Sequence, residues 1–190
     1  MHKPIPSPEE ALRILREVGC PNNVIEHCKA VAELAKRIAK KCLENGVNVD
    51  VQLIYVGALL HDIGRSKTHS VHHAIVGAEI ARSLGLPKSI ISIIERHVGG
   101  GISADEAAKL GWPKKDYIPQ SLEEKIVAYA DKLIDGAHVV PLEETLRKFK
   151  MKLGEKHPAI ERIKRLHNEI LALCGANPIF EVEKEVKPKY

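Results

Sequence analysis

Apolar side chains recur every three to four positions through most of this chain, as they do on one face of an α-helix. The clearest stripe predicts a helix from about Asn23 to Glu44, ended by Gly46. Its apolar or small positions are Val24, Cys28, Val31, Leu34, Ala35, Ile38 and Cys42. A capping box, Ser7-Pro8-Glu9-Glu10, opens a shorter helix before it, which runs to about Val18.

The apolar run from Leu53 to Leu60 predicts a helix that is buried on every side. We expect this helix to run from Val51, capped by Asp50, to Ile63, with Gly64 as its stop. A buried strand is the rival interpretation of so short a run, but no turn or alternating partner strand lies nearby. A helix of this kind belongs in the middle of a domain.

The rest of the chain also follows helical spacing. Helices are predicted at about 72–84, 87–97, 103–110 and 121–133, and two amphipathic helices begin at Pro141 and Pro158. No internal repeat or low-complexity tract divides the chain. The sequence therefore predicts an all-α fold, with one domain over residues 1–175 that includes extra C-terminal helices, and a loosely held tail at 176–190.

Composition excludes several classes of protein. With 44% hydrophobic and 28% charged residues, the chain is not disordered as a whole. A net charge of +4 and an aromatic content of 4% argue against a nucleic-acid partner. The first residues, MHKPIPSP, lack the apolar core of a signal peptide, and no apolar run approaches the roughly 20 residues that cross a bilayer. We therefore expect a cytoplasmic protein without membrane contact, while the sequence does not indicate the oligomeric state.

The four cysteines, Cys20, Cys28, Cys42 and Cys174, show no CxxC spacing. Two of them, Cys28 and Cys42, fall on the apolar stripe of the second helix. Disulfides are rare in the reducing cytosol, so we expect buried free thiols rather than a disulfide framework.

The chain has ten histidines, which the packing of an aliphatic core does not explain. Several polar residues lie where the predicted helices should bury apolar ones, and these are His27, His61, Asp62, His73, His97 and Asp131. Buried without a partner, each would cost a few kcal/mol. A metal ion is an economical common partner, because neutral imidazole and carboxylate groups suit Fe, Mn, Zn, Co or Ni. The absence of nearby thiolates argues against a closed structural zinc site.

The tetrad His61-Asp62-Ile63-Gly64, with His27 upstream and Asp131 downstream, resembles the H…HD…D pattern of the HD superfamily of metal-dependent phosphohydrolases. The resemblance covers about residues 23–135. It implies an HD-domain helical bundle in which His27, His61, Asp62 and Asp131 bind metal.

Two further elements are similar to those of dinuclear HD enzymes, such as symmetrical diadenosine-tetraphosphate hydrolases. The segment from His73 to Ala78 is similar to their HxxxGA element, and the segment from His97 to Gly100 to their later histidine turn. The resemblance implies that His73 and His97 bind a second metal and that Asp62 bridges the two. HD-GYP cyclic-dinucleotide phosphodiesterases carry a second histidine where Val98 stands here, which argues against cyclic-dinucleotide cleavage.

Other polar residues are candidates for lesser roles. His72 adjoins His73 and is an alternative ligand, while His69 and His138 are possible neighbours of the site. Asp135, one helical turn past Asp131, is a candidate for ordering a ligand.

Cations near the motif are candidates for binding phosphate. Arg65 stands where many relatives carry lysine, and its guanidinium can bind phosphate in a bidentate manner. Lys67 and Lys132 are further candidates, although a solvated lysine explains each equally well. The basic run from Arg147 to Lys152 is expected to be a solvated helix face.

The resemblance implies hydrolysis of a nucleotide or related phosphoester or phosphoanhydride by a metal-activated water, with Asp62 and Arg65 as catalytic residues. One or two divalent ions are expected, from Fe, Mn, Co, Ni or Zn, with Mg also compatible. Three alternatives remain open: a mononuclear nucleotidase in which His73 and His97 are not ligands, an HD-type diiron oxygenase, and a non-catalytic nucleotide-sensing module.

Overall fold

The computed structural model describes residues 4–175, so the predicted tail at 176–190 lies outside the described residues. The helices are α1 (Pro8–Glu17), α2 (Asn22–Glu44), α3 (Val51–Leu60), α4 (His73–Ser83), α5 (Lys88–Arg96), α6 (Ala104–Lys109), α7 (Leu122–Lys132), α8 (Leu142–Leu153) and α9 (Pro158–Cys174). Two 3₁₀ turns, Ile63–Ser66 and Val98–Gly100, and a hairpin of β1 (Ile134–Asp135) and β2 (His138–Val139) complete the elements. The all-helical prediction is confirmed, with the small hairpin as an addition.

Helix starts follow the side-chain caps that the sequence indicates. The Ser7 hydroxyl accepts a hydrogen bond from the Glu10 N–H, and the Asp50 carboxylate accepts one from the Leu53 N–H. Ser103 and Glu106 form a complete capping box at the start of α6. Because these side chains satisfy backbone donors that have no partner inside the helix, they define where the helices begin.

Helix α3 occupies the middle of the structure. It packs against α1, α2, α5 and α7, and its residues from Val56 to Leu60 are buried without interruption. The long helix α2 in turn contacts α3, α7 and α9. This aliphatic core holds the C-terminal end of α3, where His61 and Asp62 lie, at the centre of the bundle.

The third helix ends earlier than the sequence predicts. His61 keeps helical angles, with φ −55° and ψ −36°, whereas Asp62 leaves them with φ −100° and ψ 16°. The chain then continues into the 3₁₀ turn Ile63–Ser66. This change of direction places two adjacent side chains where both can reach one centre.

The sequence predicts Gly64 as a helix stop, but in the structure Gly64 instead allows the turn Ile63–Ser66 to touch α4. A Cβ atom at Gly64 would lie 1.9 Å from the carbonyl oxygen of His73 and 2.6 Å from the backbone nitrogen of Gly77. A Cβ at Gly77 would lie 3.0 Å from the Gly64 nitrogen. Only glycine fits this approach, and it fixes α4, with His73 at its start, against the turn that follows Asp62.

The hairpin was not anticipated, and it corrects the prediction for Asp135. Helix α7 ends at Lys132, so Asp135 is not one helical turn past Asp131 on the same helix. Instead, Asp135 pairs with His138 across the hairpin, is exposed, and accepts a hydrogen bond from Lys148 Nζ at 2.7 Å. Gly136, at φ 59°, takes the left-handed position of the two-residue turn.

The prediction of four free thiols is wrong for one pair. Cys42 and Cys174, at the ends of α2 and α9, form a disulfide. Helical spacing along one segment cannot show this pairing, because it depends on α9 packing back onto α2. Cys20 and Cys28 are free and buried, and burial raises the pKa of Cys20 to about 11.

Among residues 4–175, no helix combines the length and the hydropathy that crossing a bilayer requires.

The disulfide closes a loop with a sequence separation of 132 residues. Because a crosslink restricts the unfolded chain, replacing Cys42 with serine should lower the free energy of unfolding by about 2–5 kcal/mol. Urea unfolding of the oxidised wild type and the variant measures the difference, with Cys28→Ser as a control that leaves the crosslink intact. Four reactive thiols in the unfolded, unreduced wild type would contradict the disulfide.

Candidate metal centre

Four imidazoles meet at the centre of the bundle, and all four are held by the same kind of hydrogen bond. Each ring donates its Nδ1–H to a backbone carbonyl. The acceptors are Gly136 O for His27 at 2.8 Å, Ala58 O for His61 at 2.7 Å, Ser70 O for His73 at 2.7 Å and Ile94 O for His97 at 2.8 Å. A carbonyl can only accept, so Nδ1 carries a proton in each ring and Nε2 is the nitrogen that can offer a lone pair to a metal. Metal-binding histidines are held in this way in other proteins.

The carboxylate of Asp62 lies between two histidine pairs. Its Oδ1 is 3.1 Å from His73 Nε2 and 3.4 Å from His97 Nε2. Its Oδ2 is 3.7 Å from His61 Nε2 and 3.9 Å from His27 Nε2. One carboxylate thus faces two separate sets of nitrogen ligands, which is the arrangement that a bridging ligand requires.

Asp131 completes one of these sets. Its Oδ1 is 3.0 Å from His27 Nε2 and 3.4 Å from His61 Nε2. Ligand atoms of His27, His61 and Asp131 all lie within 4.8 Å of one another, and so do those of His61, Asp62 and His97. The structure therefore brings together all six residues that the sequence singled out.

The six residues fit a divalent cation because their facing atoms are hydrogen-bond acceptors with no donor between them. His73 Nε2 and His97 Nε2 are 3.0 Å apart, although both rings carry their proton on Nδ1. Two lone pairs at that distance repel each other. His61 Nε2 and Asp62 Oδ1 are also buried without a hydrogen-bond donor. Unsatisfied polar atoms of this kind are costly, and a cation between them removes the cost.

The charge states suit metal binding. Burial lowers the pKa of His97 to about 4, so its ring is neutral near pH 7. Burial on its own would raise the pKa of Asp62, but the imidazoles of His61, His73 and His97 that surround the carboxylate hold that pKa well below its usual range. Neutral imidazole and ionised carboxylate are the forms that bind metal.

Two of the predicted phosphate-binding cations pair with carboxylates of the cluster. Arg65 Nε donates to Asp62 Oδ2, and Lys132 Nζ forms an ion pair with Asp131 Oδ2. Both cations also line the cavity that opens beside the cluster. Lys67 is exposed and is not among the residues that line this cavity.

Only one of the two adjacent histidines reaches the cluster. His72 Nε2 donates to the Leu110 carbonyl at 3.2 Å, and its ring lies 5.9 Å from that of Trp112. His73 instead points at Asp62. His69 lines the cavity, whereas His138 is exposed on β2.

A cavity of about 1020 Å³ opens onto the cluster, with His27, His73, His97 and Asp131 in its lining. Helices α8 and α9 form much of its wall, as expected for the last helices of the chain. The predicted solvated face is therefore divided: Lys148 and Lys152 line the cavity, and Arg147 and Lys150 do not.

The sequence interpretation also missed Gly136, whose carbonyl fixes the ring of His27. The dipeptide Asp135-Gly136 is a recognised hairpin signal and could have indicated a turn after α7. The role of that turn toward His27 could not be found this way, because the two residues are far apart in the chain.

Comparison with known proteins places these residues in a family. The family model described as HD domain matches residues 24–136. The chain is 51% identical over 162 residues to an uncharacterized protein of Methanocaldococcus jannaschii, covering 85% of this chain and 95% of that protein. It is 42% identical over 173 residues to a tRNA (cytidine(56)-2'-O)-methyltransferase of Picrophilus torridus, covering 91% of this chain and 49% of the methyltransferase.

More distant similarities extend to nucleases and phosphodiesterases. The chain is 28% identical over 163 residues to a ribonuclease Y of Acidothermus cellulolyticus, of which it spans 27%. Among solved structures, the HD domain of the L. monocytogenes phosphodiesterase PgpH, in complex with cyclic-di-AMP, aligns with a TM-score of 0.53 and 19% identity, over 95% of this chain and 100% of that one. At that identity the likeness shows the fold alone. The chain thus spans about half of the methyltransferase and about a quarter of the ribonuclease.

Replacing Gly64 with alanine should separate the two halves of the cluster, because the new Cβ would collide with the backbone at the start of α4. We expect the free energy of unfolding to fall by about 3 kcal/mol and bound divalent metal per chain to fall with it. Urea unfolding and elemental analysis measure the two effects.

Gly57→Ala is the matched control, because its Cβ would also be crowded, at 2.4 Å, but by the end of the Ile93 side chain rather than by backbone atoms. This variant should keep the metal content of the wild type. Equal metal content in Gly64→Ala and the wild type would contradict the importance of the Gly64 contact.

Proposed function

We propose, since this chain belongs to the HD-domain family, that it is a metal-dependent phosphohydrolase acting on a nucleotide or a related phosphoester or phosphoanhydride. One observation carries the proposal: the two oxygens of Asp62 face separate histidine pairs at the edge of a large cavity. Such a centre suits hydrolysis without a serine or cysteine nucleophile. The free cysteines do not serve this purpose, because burial raises the pKa of both thiols.

Two ions fit the donor set better than one. His61 belongs to both groups of converging ligand atoms, and Asp62 Oδ1 and Oδ2 are directed to opposite sides. His27 and Asp131 would complete one ion's ligands, and His73 and His97 the other's. Nitrogen and oxygen donors favour Fe, Mn, Co, Ni or Zn over Mg.

Bound divalent metal supplies Lewis acidity, which stabilises charge on phosphate oxygens and lowers the pKa of water. The protein's own residues would orient the reactants. Asp131 lines the cavity and Asp62 does not, so Asp131 is the carboxylate that would orient the attacking water. Arg65 and Lys132 pair with Oδ2 of Asp62 and of Asp131 and present positive charge to a substrate phosphate.

A phosphodiester in RNA is the second candidate substrate, favoured by the likeness to ribonuclease Y. The sequence-based prediction of no nucleic-acid partner is the opposite of this candidate, and it stays a prediction. Hydrolysis of a dinucleotide and of single-stranded RNA, compared under the same conditions, separates the two candidates.

Hydrolysis of nucleotides and generic phosphoesters should require added Mn, Co, Ni, Fe or Mg after treatment with a chelator. Replacing Asp62 with asparagine should lower turnover more than about 100-fold, since even residues that only support metal ligands cost 10–100-fold when lost. The exposed Asp105, which is outside the cavity lining, provides the control variant Asp105→Asn. Full activity of Asp62→Asn, or of chelated protein, would contradict the proposal.

A further inference from the structure

Helix α8 directs one continuous face into the cavity, and Phe149 on that face also packs partly against the core. Its cavity-lining residues follow helical spacing and are Thr145, Lys148, Phe149, Lys152 and Leu153. The one fully buried residue that the structure describes in this helix is Leu142, at its first position. The face thus combines a phenyl ring and an aliphatic side chain with two amines, which is the composition of a surface for an amphipathic ligand.

Phe149 lies close to the metal cluster. Its Cε1 would be 3.7 Å from a Cβ atom at Gly99, so the ring rests near the 3₁₀ turn that directly follows His97. Lys132 Nζ, which pairs with Asp131, is 6.0 Å from the centre of the ring. A group attached to a phosphate at the cluster would therefore lie within reach of this ring.

Other apolar side chains extend the same environment. Among the described residues that line the cavity, Phe149 is the sole phenylalanine, tyrosine or tryptophan. Further apolar lining residues are Val71, Val98, Ile102, Leu110, Ile134 and Leu153. A phosphate group alone would leave this apolar surface in contact with water, whereas a flat aromatic ring would cover part of it.

The unpaired charge at the cavity favours an anionic ligand. Lys109 and Lys152 line the cavity, and neither amine forms an ion pair with a carboxylate within residues 4–175. Lys148 and Arg162, by contrast, are paired with acidic residues. Lys152 lies three positions after Phe149, so the two side chains are neighbours on the helix surface.

We propose that α8 is the nucleoside-binding wall of the active site and that Phe149 stacks on the base of the substrate. This inference rests on the proposed function and deepens it, because it makes Phe149 a determinant of specificity for nucleotides over aliphatic phosphoesters. Stacking on an aromatic side chain tolerates any base, so the wall selects for a nucleoside rather than for one particular base.

The test compares two probes that resist hydrolysis, adenosine 5′-O-thiomonophosphate and thiophosphate alone. Isothermal titration calorimetry on the metal-loaded protein gives an affinity for each. The wild type should bind the nucleotide more tightly, and Phe149→Ala should weaken nucleotide binding by about tenfold while leaving thiophosphate binding unchanged.

Two further substitutions separate stacking from packing. Phe149→Leu keeps an apolar side chain of similar size but has no aromatic face, so it should also lose nucleotide affinity, whereas Phe149→Trp should retain it. Met151→Ala, at an exposed position of the same helix that does not line the cavity, is the control and should change neither affinity.

The proposal is overturned if the wild type binds both probes equally, or if Phe149→Leu and Phe149→Ala keep the wild-type ratio of affinities. Hydrolysis of glycerol phosphate and of bis(p-nitrophenyl) phosphate, measured on the same samples, tests the proposed function separately. Activity on these esters without a nucleotide preference would leave the proposed function standing and remove only the nucleoside wall.

Discussion

The structure depends on one electrostatic constraint: four imidazole lone pairs and two carboxylates converge in a buried space with no proton donor among them. The Nδ1–H of each ring is already committed to a backbone carbonyl, so the facing Nε2 atoms of His73 and His97 cannot hydrogen-bond to each other. A protein interior does not tolerate such a concentration of acceptors unless a positive charge lies among them. The proposed chemistry follows from this arrangement.

The surrounding fold is arranged to hold these lone pairs in place. The buried helix α3 carries His61 and Asp62 to the centre of the bundle, and the backbone contact between Gly64 and Gly77 fixes α4 beside them. The hairpin after α7 adds the carbonyl of Gly136, which orients His27. Arg65 and Lys132 each pair with the Oδ2 atom of one carboxylate, which leaves Oδ1 of Asp62 directed at His73 and Oδ1 of Asp131 directed at His27.

Much of this could be predicted from the sequence, because helical periodicity, capping residues and polar residues on apolar stripes are local signals. They located the helices to within a few residues and singled out the six residues of the cluster. What was missed depends on tertiary contacts. The Cys42–Cys174 disulfide joins helix ends far apart in the chain, Gly64 serves an approach between two backbones, and the cavity face of α8 has the spacing of any amphipathic helix. The nucleotide preference proposed for the cavity face of α8 does not come from the family relationship. The PgpH structure is similar to this chain in fold alone.

The central claim is that the six residues bind divalent cations, and counting the ions tests it most directly. Metal-free protein is titrated with Mn²⁺, and the bound ions per chain are measured by elemental analysis and located by anomalous diffraction. The account predicts two ions that share Asp62, one beside His27, His61 and Asp131 and the other beside His73 and His97. A protein that retains no ion, or that binds ions only away from Asp62, would contradict it.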